Sequence, residues 1–429
     1  MSRMLHLNGF WPTATKWVML SLALFTATLV GCNGKGDSAA TSGGNPKVIK
    51  IVSSFPRTGS AKAQTDTIVN GIKLALLEVD YKIGEYTIEY IDKDDATASA
   101  GQWTSEAETA NADFALKDPD VMVYIGTYNS GAAKISMPML NRGNMLMISP
   151  ANTWPGLTKP GLGDPGEPEI YRPSGKPTYV RVVPADDLQG TLAADWAKSM
   201  GMKTVYILDD KEVYGRGIAT LFHERCDEIG IQVLGHDSID VKSQEFKSKM
   251  SSIKALEPDL VYFGGTTQSQ AGQIAKDLVA AGLSAKLMVP DGCMEAAFIQ
   301  SAGAENLNDR CYITFGGLPP KELTGKGKEF VDRYIEQFKT EPEAYAVYGY
   351  ESARVAIEAI KRAGKKDRAA IVDAAFELKD MEGSLGLWSI DENGDTTLAV
   401  LSGNTVKDGK FEFVRILDET LAKAAENDQ

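Results

Sequence analysis

Val121-Met-Val-Tyr-Ile-Gly-Thr-Tyr-Asn-Ser130 decides the fold of this chain. Residues 121–125 form an apolar run without alternation, the pattern of a strand buried on both faces. Gly126–Asn129 break the run. Ser130 then opens a helical pattern that continues to Leu140, and Met145–Ile148 is a second buried strand. A strand covered on both faces and joined to the next by a helix implies a parallel sheet. Toward the N-terminus the same alternation continues. Val48–Ser53 is a β-branched strand, and Ala63–Glu78 is a helix with Ile68, Ile72 and Leu76 at helical spacing. Tyr86–Ile91 is a strand and Gly101–Leu116 a helix.

The alternation stops at Asn152. Residues 152–179 hold six prolines (155, 160, 165, 168, 173 and 177) with glycines between them, and read as a long irregular loop. Gly161-Leu-Gly163-Asp-Pro-Gly166 matches a nucleotide-binding pattern by its letters. Pro160 and Pro165 forbid the strand before it and the helix after it, so the match is spurious. A second alternation begins at Arg181–Val183 and continues through helix 189–200, strand 205–209, helix 215–229, strand 232–239, helix 245–256, strand 260–264 and helix 269–281 to strands at 287–289 and 312–315. Helices follow at 327–338, 344–363 and 368–378, then a late β segment at 387–390, 398–402 and 411–414. The fold class is therefore α/β with two doubly wound parallel-sheet lobes, since about 400 residues exceed what one core holds.

The N-terminus reads as a bacterial lipoprotein signal. Arg3 and Lys16 precede an apolar run of 14 residues, Trp17–Val30, and Leu29-Val30-Gly31-Cys32 closes it. The run is too short to span a bilayer. Cleavage before Cys32 would remove residues 1–31 and leave a thiol for lipid anchoring, which places the body outside the cytoplasmic membrane. Residues 32–46 are small and polar, a flexible tether. Loss of Arg3 and Lys16 takes the formal charge from 45 − 58 = −13 to 43 − 58 = −15, which argues against nucleic acid and anionic lipid surfaces. Three cysteines remain, Cys226, Cys293 and Cys311; a Cys293–Cys311 bridge stays open as an alternative. No metal-ligand spacing, phosphate loop or hydrolase motif is present, so neither cofactor nor catalysis is expected. His223 and His236 each stand alone in sequence.

What remains is a set of loops at the carboxyl ends of strands, where such sheets bind ligands. Gly126–Ser130 places Ser130 at or near a helix N-terminus, suited to a carboxylate. Ser149-Pro-Ala-Asn-Thr153 offers hydroxyls and open backbone groups. Tyr214 follows Asp209–Val213, and Asp291 follows Val289-Pro290. The acid either holds a ligand ammonium or caps the helix that begins near Met294.

These stretches, in this order, resemble the substrate-binding proteins of branched-chain amino acid ABC transporters, the leucine/isoleucine/valine-binding family. The likeness covers residues 47–415. Its marks are Pro56–Gly59, Asn70–Ala75, Met147–Pro150, Pro184–Gly190, Tyr214–Gly217, Pro258–Gly265 and Asp291-Gly292. The resemblance implies a type I periplasmic-binding-protein fold with a three-strand hinge, lobe 1 holding 47–181 plus 315–395 and lobe 2 holding 182–314 plus 396–429. It implies that Ser130 and Thr153 grip the α-carboxylate of an amino acid, that the Ala151 carbonyl and Asp291 take its ammonium, and that Tyr214 closes over it. Gln64 and Thr266 stand where the family carries aromatic walls. Gln64, Tyr128, Asn129, Trp154 and Thr266 are then the expected pocket wall. The family's first-lobe disulfide is absent, since no cysteine lies between residues 33 and 225. The implied partners are a small zwitterion, the permease subunits and the membrane through Cys32; a monomer is expected. The alternatives are a sensory module coupled to a membrane receptor or kinase, or a receptor for an amide, urea or small carboxylate.

Overall fold

The computed structural model describes residues 44–418, so Cys32, the signal and the start of the tether lie outside the described residues. The first sheet contains β1 (Val48–Phe55), β2 (Lys82–Ile83), β3 (Tyr86–Asp94), β4 (Val121–Gly126), β5 (Leu146–Ser149) and β6 (Tyr179–Arg181). Their order is β2-β3-β1-β4-β5-β6. All neighbours are parallel except the edge pair β2–β3. Every residue of β4 and β5 is buried, as their unbroken apolar runs require. The connecting helices are α1 (Lys62–Leu77), α2 (Ser105–Lys117) and α3 (Ser130–Arg142).

The second lobe begins with α4 (Asp186–Ser199) and β7 (Thr204–Asp209), then α5 (Val213–Ile229), β8 (Gln232–Ser238), α6 (Lys247–Lys254) and β9 (Leu260–Gly264). It continues through α7 (Ala271–Ala280), β10 (Lys286–Val289), α8 (Ala296–Ala302), α9 (Ala304–Leu307) and β11 (Cys311–Gly316). Next come α10 (Lys326–Phe338), α11 (Ala346–Ala363) and α12 (Arg368–Phe376), which return to the first lobe. There α11 packs on α1, and α12 packs on β4 and β5. A small hairpin, β12 (Met381–Gly383) and β13 (Gly386–Trp388), precedes β14 (Leu401–Lys407) and β15 (Lys410–Leu417). These last two join the second sheet in the order β15-β14-β11-β10-β9-β7-β8. The β11–β14 and β14–β15 pairs are antiparallel, so this sheet is parallel only through its other strands.

Several boundaries differ from the sequence reading. The strand at 179–181 hydrogen-bonds to β5 and closes the first sheet instead of opening the second. A three-residue strand carries no periodicity that reveals its partner. Helix α4 starts three residues before Gln189, where Asp186 and Asp187 suit the positive end of a helix. The late β segment shifts as well, with hairpin pairing at 381–388 and the first long strand beginning at Leu401. Cys226, Cys293 and Cys311 are all free and buried. His223 and His236 do not stand alone: their Nδ1 atoms lie 2.9 Å apart, and His236 Nε2 is 3.3 Å from Asp209.

The Pro/Gly-rich segment is irregular, with short 3-10 turns at Pro155–Leu157 and Glu169–Tyr171. It is organised by Glu167, which accepts from Trp154 Nε1 (2.8 Å), the Asp164 amide (2.9 Å) and the Tyr171 hydroxyl, and pairs with Lys134 (2.5 Å). Burial opposes charge on Glu167, but Lys134 and these donors prevail and hold its carboxyl below the ordinary range. The segment also reaches the second lobe. Lys159 pairs with Asp187 at 2.7 Å, and Asp164 meets Arg216 at 3.5 Å. A Cβ at Gly217 would lie 2.4 Å from the Trp154 ring, so the indole lies flush on α5.

Candidate functional site

Between the lobes lies a narrow cavity lined by Tyr128, Asn129, Ser130, Ala151, Tyr214, Thr266, Asp291, Gly292 and Tyr345. Its walls come from the carboxyl ends of β4, β5, β7, β9 and β10, plus the start of α11.

Two loops of the first lobe are tied to each other before they meet the cavity. Ser149 Oγ accepts from the amides of Ala151 (3.1 Å) and Asn152 (2.8 Å) and donates to the Thr127 carbonyl (3.1 Å). Asn152 donates to Thr127 Oγ1 (3.2 Å) and the Tyr128 carbonyl (3.0 Å). Underneath, the fully buried Arg181 donates to Asp395 (2.7 Å) and to the carbonyls of Asn152 (3.2 Å) and Trp154 (2.8 Å). Burial works against charge on Asp395, yet Arg181 keeps its carboxyl below the usual range. Through Arg181, the Asp391–Asp395 turn anchors the loop that carries Asn152 and Trp154.

Ser130 is the first residue of α3, with Asn129 as the N-cap and no side chain capping the helix. The opening amides of a helix lack intrahelical partners and favour an anion. Ser130 Oγ accepts from the Trp154 amide at 3.4 Å.

Asp291 faces this helix from the second lobe and is 2 % exposed. Oδ1 accepts from Gln189 Nε2 (2.8 Å) and the Tyr214 hydroxyl (2.5 Å), and Oδ2 accepts from the Tyr345 hydroxyl. Burial raises its pKa, while the donors from Tyr214, Tyr345 and Gln189 pull it back. Asp186 lies close by. Burial and then the nearby Asp291 charge push it well above the ordinary carboxylate value. Its two oxygens and the Thr153 hydroxyl are buried and meet no hydrogen-bond geometry, although that hydroxyl is near enough to favour the ionised acid.

Of the residues expected from sequence, the cavity gathers Ser130, Ala151, Tyr214 and Asp291, with Tyr128, Asn129 and Thr266 in its wall. Three do not line it. Thr153 is buried just behind, joined to α4 through the Asp186 amide and its own carbonyl (2.8 Å). Gln64 bridges lobes, donating to the Met294 carbonyl (3.1 Å) and accepting from the Tyr345 amide (3.4 Å). Trp154 turns outward to Glu167 and Gly217. Sequence reasoning missed Tyr345, Gln189 and Asp186. The last two lie inside the Pro184–Gly190 stretch, where an acid at a helix start looks like ordinary capping. Tyr345 sits in an aromatic run with Tyr348 and Tyr350 that reads as core.

The arrangement offers helix-end donors and a hydroxyl on one lobe and an enclosed carboxylate on the other. The family model described as "Periplasmic binding protein" matches residues 48–407. "Leu/Ile/Val-binding protein homolog 2" of Brucella abortus (strain 2308) is 28 % identical over 368 residues, covering 83 % of this chain and 91 % of that one. The crystal structure of a leucine-binding protein, LivK, from Thermotoga maritima superposes with a TM-score of 0.76 at 25 % identity over 87 % of this chain and 99 % of its own. A solute-binding protein from R. palustris in complex with benzoate has a TM-score of 0.72 at 18 % identity, covering 86 % and 96 %, a likeness of fold alone. Two α/β lobes around one polar cleft, with the family model spanning nearly every described residue, place the chain in the periplasmic binding protein family, with its type I fold.

Proposed function

We propose that the protein is an extracytoplasmic receptor that encloses an amino acid between its lobes and hands it to the permease of an ABC transporter. The carrying observation is Asp291, a buried carboxylate on the second lobe set opposite the uncapped start of α3 on the first. A zwitterion satisfies both ends: its carboxylate meets the Ser130 hydroxyl and the helix amides, and its ammonium meets Asp291 and the Ala151 carbonyl. Contact with both lobes at once makes the closed form the favoured one on binding. The name of the Brucella relative and the leucine-binding LivK support an amino acid as ligand. The protein acts by binding, as a monomer, with no catalytic step. The Leu29–Cys32 sequence supports a lipid anchor at Cys32.

Calorimetry with the twenty amino acids, simple amides, urea and benzoate tests the ligand class. Heat of binding with at least one amino acid is expected; binding only of ligands lacking an ammonium refutes it. Membrane fractionation tests the anchor. Cys32→Ser is expected to move the protein into the soluble fraction, and continued sedimentation with membranes refutes lipidation.

A further inference from the structure

Beside the cleft lies a second, narrow cavity. It shares Asn129, Ser130, Tyr214 and Thr266 with the first and continues to Trp103, Asp210, Glu212 and Gln268. Its chemistry is unlike a socket for an aliphatic side chain. Asp210 is 3 % exposed; Oδ1 takes the Glu212 amide (3.0 Å), while Oδ2 is buried and meets no hydrogen-bond geometry, although the Ser269 hydroxyl is near enough to favour the ionised acid. Asn129 Oδ1 and both amide atoms of Gln268 are also buried and unpartnered. A cluster of buried polar atoms without partners is costly unless something completes it.

Charge narrows what completes it. The two cavities are lined by three carboxylates, Asp210, Glu212 and Asp291, and by no Lys, Arg or His. A bound zwitterion contributes an ammonium for Asp291 and a carboxylate of its own, so the deficit of positive charge around Asp210 and Glu212 persists. Burial pushes Asp210 up to about 7 and also raises Glu212, as for acids enclosed without a cation. Trp103 adds an aromatic surface at the wall, which favours a cation further.

We infer that this second cavity is the side-chain subsite and that it selects an amino acid whose side chain ends in a cation. This rests on the amino acid reading above. The ammonium or guanidinium would meet Asp210 Oδ2 and Glu212, with Asn129 Oδ1 and the Gln268 carbonyl as further acceptors. Acidic side chains are repelled, and aliphatic ones leave these acceptors buried and unmet.

Competition calorimetry on the purified protein with L-lysine, L-ornithine, L-arginine, L-glutamine, L-leucine and L-isoleucine tests it. At least one cationic ligand should bind tenfold or more tightly than leucine and glutamine. In the double variant Asp210→Asn/Glu212→Gln that preference should shrink to threefold or less. Tighter binding of leucine, isoleucine or glutamine by the unaltered protein overturns the subsite while leaving the amino acid reading intact. Heat from none of the six, with binding of another class of solute, overturns both. The unaltered protein's ranking decides the matter even if the variant fails to fold.

Discussion

Asp291 receives three side-chain donors, from Gln189, Tyr214 and Tyr345, and it is these that keep a buried acid usable as an acceptor. Its removal strips an enclosed ammonium of its counter-charge and leaves the donors without an acceptor. Asp291→Ala is therefore expected to cost about 2–5 kcal/mol of amino acid affinity. Calorimetry checks it, and a loss below roughly 0.5 kcal/mol would reduce Asp291 to a helix cap, since surface changes of no consequence fall in that range. The placement of Ser130 and Asp291 at one cavity was legible in the letters: each follows a buried strand, and strand ends are where such sheets bind. Tyr345 and Asp186 were not. Their roles depend on the lobes meeting, a contact between residues far apart in the chain that no local pattern records.

At the scale of elements, the helices were readable because their apolar spacing is strong, whereas the edges were not. β6 and the β12–β13 hairpin are only three residues per strand, too short for a period, and their pairing is decided by neighbours in space. One helix contact makes a sharp demand on sequence. A Cβ on Gly71 of α1 would lie 2.2 Å from the Ala346 carbonyl oxygen, and one on Gly349 of α11 would lie 2.2 Å from that of Ile68. Both obstacles are backbone. Alanine is the better helix former by about 1 kcal/mol, so propensity and packing predict opposite signs. The close approach should win, and Gly71→Ala is expected to destabilise by about 1–3 kcal/mol, the usual cost of overpacking. Urea unfolding checks it; a variant more stable than the parent would show that α1 and α11 can part without penalty.

Across the whole molecule, the buried acids set the response to pH. Burial raises Glu108 and Asp210 to about 7 and Glu295 to about 8, with Asp95, Asp186 and Asp291 also raised. Such groups bind more protons folded than unfolded between about pH 4 and 8, so stability falls as pH rises through that window. Asp120, Asp237, Asp259 and Asp395 are shifted the other way and lose their contribution only as pH drops below the ordinary carboxylate range. The melting temperature of the ligand-free protein should peak near about pH 5 and decline steadily to pH 8. A melting temperature that climbs over this range would contradict the burial of these acids.

The clasp formed by Trp154 on Gly217, Lys159 on Asp187 and Asp164 on Arg216 has its own mechanical consequence. For the two halves to swing apart, an indole must peel from bare helix backbone and two ion pairs must separate. Dwell time of the cargo is then governed partly by a strap that never touches it. Because Arg216 and Asp164 are about half exposed, raising ionic strength loosens that strap, and unloading would quicken in salty surroundings without any change in the socket itself.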